Sequence, residues 1–169
     1  MKTVIIGLGN TILTDDGAGV YIARDLSARL AGTGTEVIET ESAGMNLLEM
    51  LSGHERAVLV DAIALEGVEP GTVVRLSPDD LRLTPRLASC HDIDIVTALE
   101  LGRRLGLSMP SEVVIYAVQG EDMLTLGERP TKAVAAVLPL VADEIEAMLT
   151  GSAAHSVSIP LSEVRDSDA

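Results

Sequence analysis

The chain has 169 residues, a net charge of −14 and a single cysteine, Cys90. That length suits one domain of ordinary size, and a lone cysteine excludes an internal disulfide and points to a reducing, cytoplasmic compartment. The acidic balance argues against nucleic acid and anionic membrane as partners, and with Tyr21 and Tyr116 as the only aromatics a base-stacking platform is excluded.

Read in chain order, "TVIIGLG" (3–9) is a β-branched run ending in glycine and predicts a buried strand. Asp15 and Asp16 end this apolar stretch well short of the roughly 20 residues of a membrane span, so a soluble, unexported protein is expected. Val20, Ala23, Leu26 and Leu30 recur at helical spacing and predict a helix from about Gly17 to Leu30. "TEVIET" (35–40) predicts a second strand and "GMNLLEML" (44–51) a short helix. "RAVLVDAI" (56–63) predicts a third strand, apolar until Asp61 closes it, and "PGTVVRL" (70–76) a fourth after a Pro-Gly turn.

The stretch "SPDDLRLTPRLASCHD" reads as mostly loop, with Pro78 and Pro85 as breakers. From His91 onward, Ile95, Ala98, Leu99 and Leu105 mark a helix that closes near Gly106. "EVVIYAV" (112–118) predicts another buried strand. A last helix follows from Val134, Leu138, Val141, Ile145 and Met148, with Pro139 expected to kink or divide it. Residues 1–150 are thus expected to form a single α/β domain, and the patternless 151–169 a mobile tail.

Strands alternating with helices predict an open, mostly parallel sheet covered on both faces, with ligands bound outside the carboxyl ends of the strands. The glycine turn after strand one invites a nucleotide, but Ile12 occupies the place of the third glycine in G-x-G-x-x-G. No Gly-Lys-Ser/Thr follows either, and two acids at a helix start would repel a phosphate. The structural reading of Asp15 and Asp16 is a helix cap and a first-turn acid. Asp61 shifts the balance for Asp16, because an acid closing an apolar strand has no packing role, and Asp15 keeps the reading of a local cap.

Ser89 and Asp92 have capping-box spacing, which sets His91 in the first turn of a helix, where the dipole keeps imidazole neutral and able to bind metal. Two carboxylates and one imidazole at a sheet edge, Asp16, Asp61 and His91, suit a borderline divalent metal with coordination positions left open. "HERAV" (54–58) lacks the second histidine of the zincin motif, Cys90 has no orienting partner, and His155 falls in the tail.

Taken in order, "GLGNTILTDDGAGV", "ESAGMNLLEML", "VLVDAI", "PGTV", "SCHDIDIVTALELG" and "PTKAVAAVLPLV" resemble the landmarks of the hydrogenase maturation endopeptidases over about residues 1–149. The resemblance implies an α/β/α sandwich around a twisted five-stranded sheet. It also implies an endopeptidase that removes the carboxyl-terminal extension of a nickel-iron hydrogenase large-subunit precursor after nickel insertion. By the same resemblance Asp16, Asp61 and His91 contact nickel brought by the substrate; no nucleotide cofactor is expected, and a monomer in the cytoplasm is. One departure stands out: "TESAG" replaces the Gly-Gly-Thr stretch of one branch, so Ser42 stands for Thr and Glu41 adds a carboxylate nearby. Two rival readings are a nickel-binding chaperone without enzymatic activity, disfavoured by the lack of a His-rich or Cys-rich tract, and a nucleotide-binding module, disfavoured by the missing glycine.

Overall fold

A computed structural model describes residues 1–41, 44–83, 95–153 and 155–165. Its centre is a six-stranded sheet in the order β2-β1-β3-β5-β4-β6. The strands are β1 (Thr3–Leu8), β2 (Glu36–Thr40), β3 (Arg56–Ile63), β4 (Val73–Leu76), β5 (Glu112–Gln119) and β6 (Ser158–Pro160). The first three and β5 are mutually parallel, whereas β4 runs antiparallel to β5 and β6 parallel to β4. This is the α/β architecture expected, with one strand more than the five predicted.

The helices are α1 (Ala18–Arg29), α2 (Met45–Leu51), α3 (Pro78–Leu83), α4 (Ile95–Arg104), α5 (Lys132–Thr150) and α6 (Leu161–Arg165). The largely apolar β1 and β3 are buried on both faces, as central strands covered on either side must be. Val4, Ile6, Leu8, Ala57, Leu59 and Ile63 pack against Leu47 and Leu51 of α2 and Ile95 and Leu99 of α4. On the opposite face Ile5, Val58, Val60 and Ala62 pack against Ile22 and Leu26 of α1 and Val141 and Ile145 of α5. The period-two alternation along β3 therefore feeds two separate cores, each side chain as large as Leu or Ile contributing about 1.5–3 kcal/mol by leaving water.

Two close approaches let α1 lie directly on the sheet. A Cβ on Gly7 would stand 2.3 Å from the Gly19 carbonyl oxygen, and one on Gly19 would stand 2.2 Å from that of Val60 and 2.4 Å from that of Leu8. Only hydrogen fits at either position.

Three expectations are corrected. Pro78, expected as a breaker in a mostly loop segment, instead opens α3, and Ser77 precedes it as a cap, its N and Oγ each donating to Asp80 Oδ2 at 2.7 Å, while Pro85 lies outside the described residues. Proline is tolerated at a first helical position because the N–H it lacks has no intrahelical partner there. Pro139 does not divide the last helix, which continues from Lys132 to Thr150. Pro139 and Ala135, whose carbonyl the ring deprives of a donor, are both exposed, so that carbonyl is open to water.

The third correction concerns the tail, where residues 158–165 form β6 and α6 on the body of the domain. Glu144 of α5, buried at 7% exposure, explains it: its carboxylate accepts from Val157 N at 2.7 Å and from Ser158 N at 3.0 Å, and from Ser158 Oγ as well. Burial pushes the Glu144 carboxyl up, but the bonds from Ser158, Val157 and Ser156 outweigh it and hold it below the ordinary value. The Tyr116 hydroxyl, which donates to the same carboxylate, is pushed up to about 12 by burial and by that negative charge. Among the described residues no helix is long and apolar enough to cross a membrane.

Candidate active site

The carboxyl ends of β1 and β3 and the loop entering α1 make the edge where the candidate acids lie. Gly9 carries φ +140, and a Cβ there would fall 1.9 Å from the main-chain oxygen of Asp16. The chain therefore folds back on itself immediately after β1, which glycine alone permits at that backbone angle. The fold-back is closed by Asp16 itself, whose Oδ2 accepts the Asn10 N–H at 2.9 Å. The second glycine of the opening motif thus shapes a loop around a carboxylate, and Asp16 ends 3% exposed.

Asp61 reaches the same edge from β3. Val60, the residue before it, has its carbonyl against Gly19, three residues beyond Asp16, so one turn of α1 bridges the two strand ends. Asp61 is not the last residue of its strand, since Ala62 and Ile63 follow; it pairs in register with Ala117 of β5. By alternation with Leu59 and Ile63 it belongs to the face covered by α2 and α4. It is 2% exposed, and its Oδ1 accepts the Ala62 N–H at 2.9 Å.

His91, Cys90 and Ser42 lie outside the described residues. The described part of α4 begins at Ile95 and ends beside the amino edge, where Gly53 N donates to Ser108 O at 2.7 Å and Ser111 N to Glu55 O at 3.0 Å. Its start consequently points to the carboxyl edge, about 15 Å away along ten residues of helix. Among the described residues no three His, Cys, Asp or Glu side chains stand together in the manner of a metal site. Glu41 is exposed and lines, with Gly9, Thr11, Arg24 and Glu39, a cleft of about 220 Å³ beside the Asp16 loop. Arg24 and Glu39 pair across it at 2.8 Å.

Asp15 is not a cap for the helix it precedes. The N-cap of α1 is Gly17, with no side-chain bond, and Asp15 is fully buried. Its Oδ2 accepts from Glu121 N at 2.8 Å, Asp122 N at 2.9 Å and Thr131 Oγ1 at 3.0 Å, and its Oδ1 accepts from Thr131 N at 2.7 Å. Thr131 is the N-cap of α5, so Asp15 supplies the negative charge at the start of a helix distant in sequence. No local pattern could have shown this, because the partners come from the far end of the chain. His54 is likewise structural, buried with Nε2 3.1 Å from Glu36 Oε2. His155 borders a cavity of about 610 Å³ under α5, lined by neither Asp16 nor Asp61.

The chain was compared with known proteins. A family model described as HycI, hydrogenase maturation protease, matches residues 20–148. Hydrogenase 2 maturation protease of Escherichia coli strain K12 is 27% identical over 160 residues, covering 93% of this chain and 96% of that protein. Among solved structures, the hydrogenase maturating endopeptidase HybD from E. coli superposes with a TM-score of 0.77 at 25% identity, covering 89% of this chain and 93% of that one. The NiFe hydrogenase maturation protease HybD from Thermococcus kodakarensis gives a TM-score of 0.70 at 26% identity, covering 88% and 99%.

Proposed function

The chain belongs to the hydrogenase maturation protease family, and from that premise we propose that it removes the carboxyl-terminal extension of a nickel-iron hydrogenase large-subunit precursor once nickel is in place. Asp16, Asp61 and His91 complete the coordination of nickel that the substrate carries, so only metal-loaded precursor docks productively. The observation that carries this reading is the burial of two carboxylates, Asp16 at 3% and Asp61 at 2% exposure, near the carboxyl ends of the parallel strands β1 and β3. Carboxylates removed from water favour an approaching cation, because solvent no longer competes for their charge.

Docking through the metal holds the scissile bond in one place, which turns recognition into positioning. Nickel would supply Lewis acidity to that bond, and a carboxylate of the pair would accept the proton of the attacking water. The nickel is cargo of the substrate rather than a resident cofactor, and no nucleotide takes part. The reaction fits a cytoplasmic protein acting as a monomer.

Incubating the protein with nickel-loaded and nickel-free large-subunit precursor, and following mass, tests the reading. Cleavage of the loaded form alone is expected. Equal cleavage of both forms, or cleavage of neither, overturns it, and submicromolar binding of nickel without substrate would favour the chaperone reading.

A further inference from the structure

The edge that holds Asp16 also carries an apolar surface that the chemistry leaves unused. Leu124 is 85% exposed, Leu126 74% and Ile12 60%. They lie on two loops that are tied together: Thr14 N donates to Thr125 O at 3.0 Å, Gly127 N to Ile12 O at 3.0 Å, and Leu13 bridges Leu126 in antiparallel fashion. Asp122 Oδ1 accepts from Leu124 N at 3.1 Å and Thr125 N at 2.9 Å, and buried Asp15 fixes the base of both loops. A loop built only to connect β5 to α5 would present polar side chains; here the backbone is held so that large apolar ones face water.

We infer that Ile12, Leu124 and Leu126 form a docking platform for the folded body of the hydrogenase large-subunit precursor. The inference rests on the endopeptidase reading for the identity of the partner. The platform is continuous with the acids, since Ile12 and Asp16 share one loop closed by the Asn10–Asp16 bond. Glu121, Asp122 and Glu128 outnumber Arg129 around the platform, and the main-chain and side-chain bonds from Thr125 and the Leu124 N–H hold the Asp122 carboxyl below its ordinary value. The partner surface is therefore apolar with a basic rim.

The test compares the protein with its Leu124→Asn/Leu126→Asn variant for binding and cleavage of nickel-loaded precursor, with thermal unfolding and sedimentation as controls. The expected result is an unchanged melting transition, at least about tenfold weaker precursor binding with a matching rise in KM, and recovery in Leu124→Met/Leu126→Met. Should the double variant unfold, Leu124→Asn alone is read the same way. Equal precursor affinity overturns the inference, as does a wild-type protein that fails to bind precursor, or one that forms a dimer which the substitutions dissociate. A precursor that is bound through the leucines yet never cut sinks the endopeptidase reading and leaves the platform standing.

Discussion

Asp15 and Thr131 are joined twice, the carboxylate taking the threonine N–H at 2.7 Å and its hydroxyl at 3.0 Å. Each bond crosses from the loop after the first strand to the start of the last long helix, and together with the bonds to Glu121 and Asp122 they tie the carboxyl edge into one unit. Asp15→Ala leaves four part-buried donors without their acceptor, and a donor left unsatisfied costs up to about 1–3 kcal/mol. A loss of about 2–5 kcal/mol in urea unfolding is expected; a loss under about 1 kcal/mol would show that the clamp is dispensable.

Asp16→Asn and Asp61→Asn retain size while removing charge. Precursor cleavage should fall at least about a hundredfold in each, while the unfolding midpoint moves little, because the amide oxygen of asparagine can still accept the Asn10 and Ala62 N–H groups. His91→Ala should behave in the same way. Full activity in all three variants, measured by mass, would refute the assignment of these side chains to the site.

Glu144 links stability to pH. Its carboxyl titrates lower in the folded protein than in the unfolded chain, so its contribution is complete above the unfolded value and is lost as pH falls through the folded one. Stability measured by urea from pH 7 to pH 3 should fall more steeply below about pH 4.5 in the native protein than in Glu144→Gln. At neutral pH the substitution should cost about 1.5–3 kcal/mol, the range for hydrogen bonds to a charged group.

Gly19→Ala sets a methyl where the carbonyl oxygens of Val60 and Leu8 stand at 2.2 and 2.4 Å. Backbone cannot yield as a flexible side chain can, so α1 must lift from the sheet, at about 1–3 kcal/mol or more. Thermal unfolding should register it. Gly32→Ala is the informative contrast: nothing lies within 4 Å of that position, but its φ of +83 strains any side chain, so a smaller loss confined to backbone conformation is expected.

The layers of the fold were legible because they depend on local pattern. "TVIIGL" and "RAVLVDAI" are too uniformly apolar to be anything but central strands, and Val20, Ala23, Leu26 and Leu30 mark α1 at helical spacing. What escaped has non-local causes. The role of Asp15 depends on Thr131, and the order of 158–165 on Glu144, an acid that by itself reads as helix surface. Pro78 and Pro139 misled for another reason: the cost of a proline depends on its helix position and on water's access to the freed carbonyl. Position and chemistry singled out Asp16 and Asp61 as candidates, and both are buried near the carboxyl ends of β1 and β3, while the leucines at 124 and 126 were indistinguishable in sequence from core residues.

The short strand β6 has a consequence for solubility. Without it, β4 would be the outermost strand on that side, offering unpaired N–H and C=O groups from Val73 to Leu76 to any other chain. With it, the sheet ends in three residues, the last being Pro160, which has no N–H to give, and further strands gain little by adding there. A protein cut after Thr150 should therefore scatter light and pellet at concentrations where the intact one stays clear, the last turns of chain serving as a guard against sheet-to-sheet aggregation.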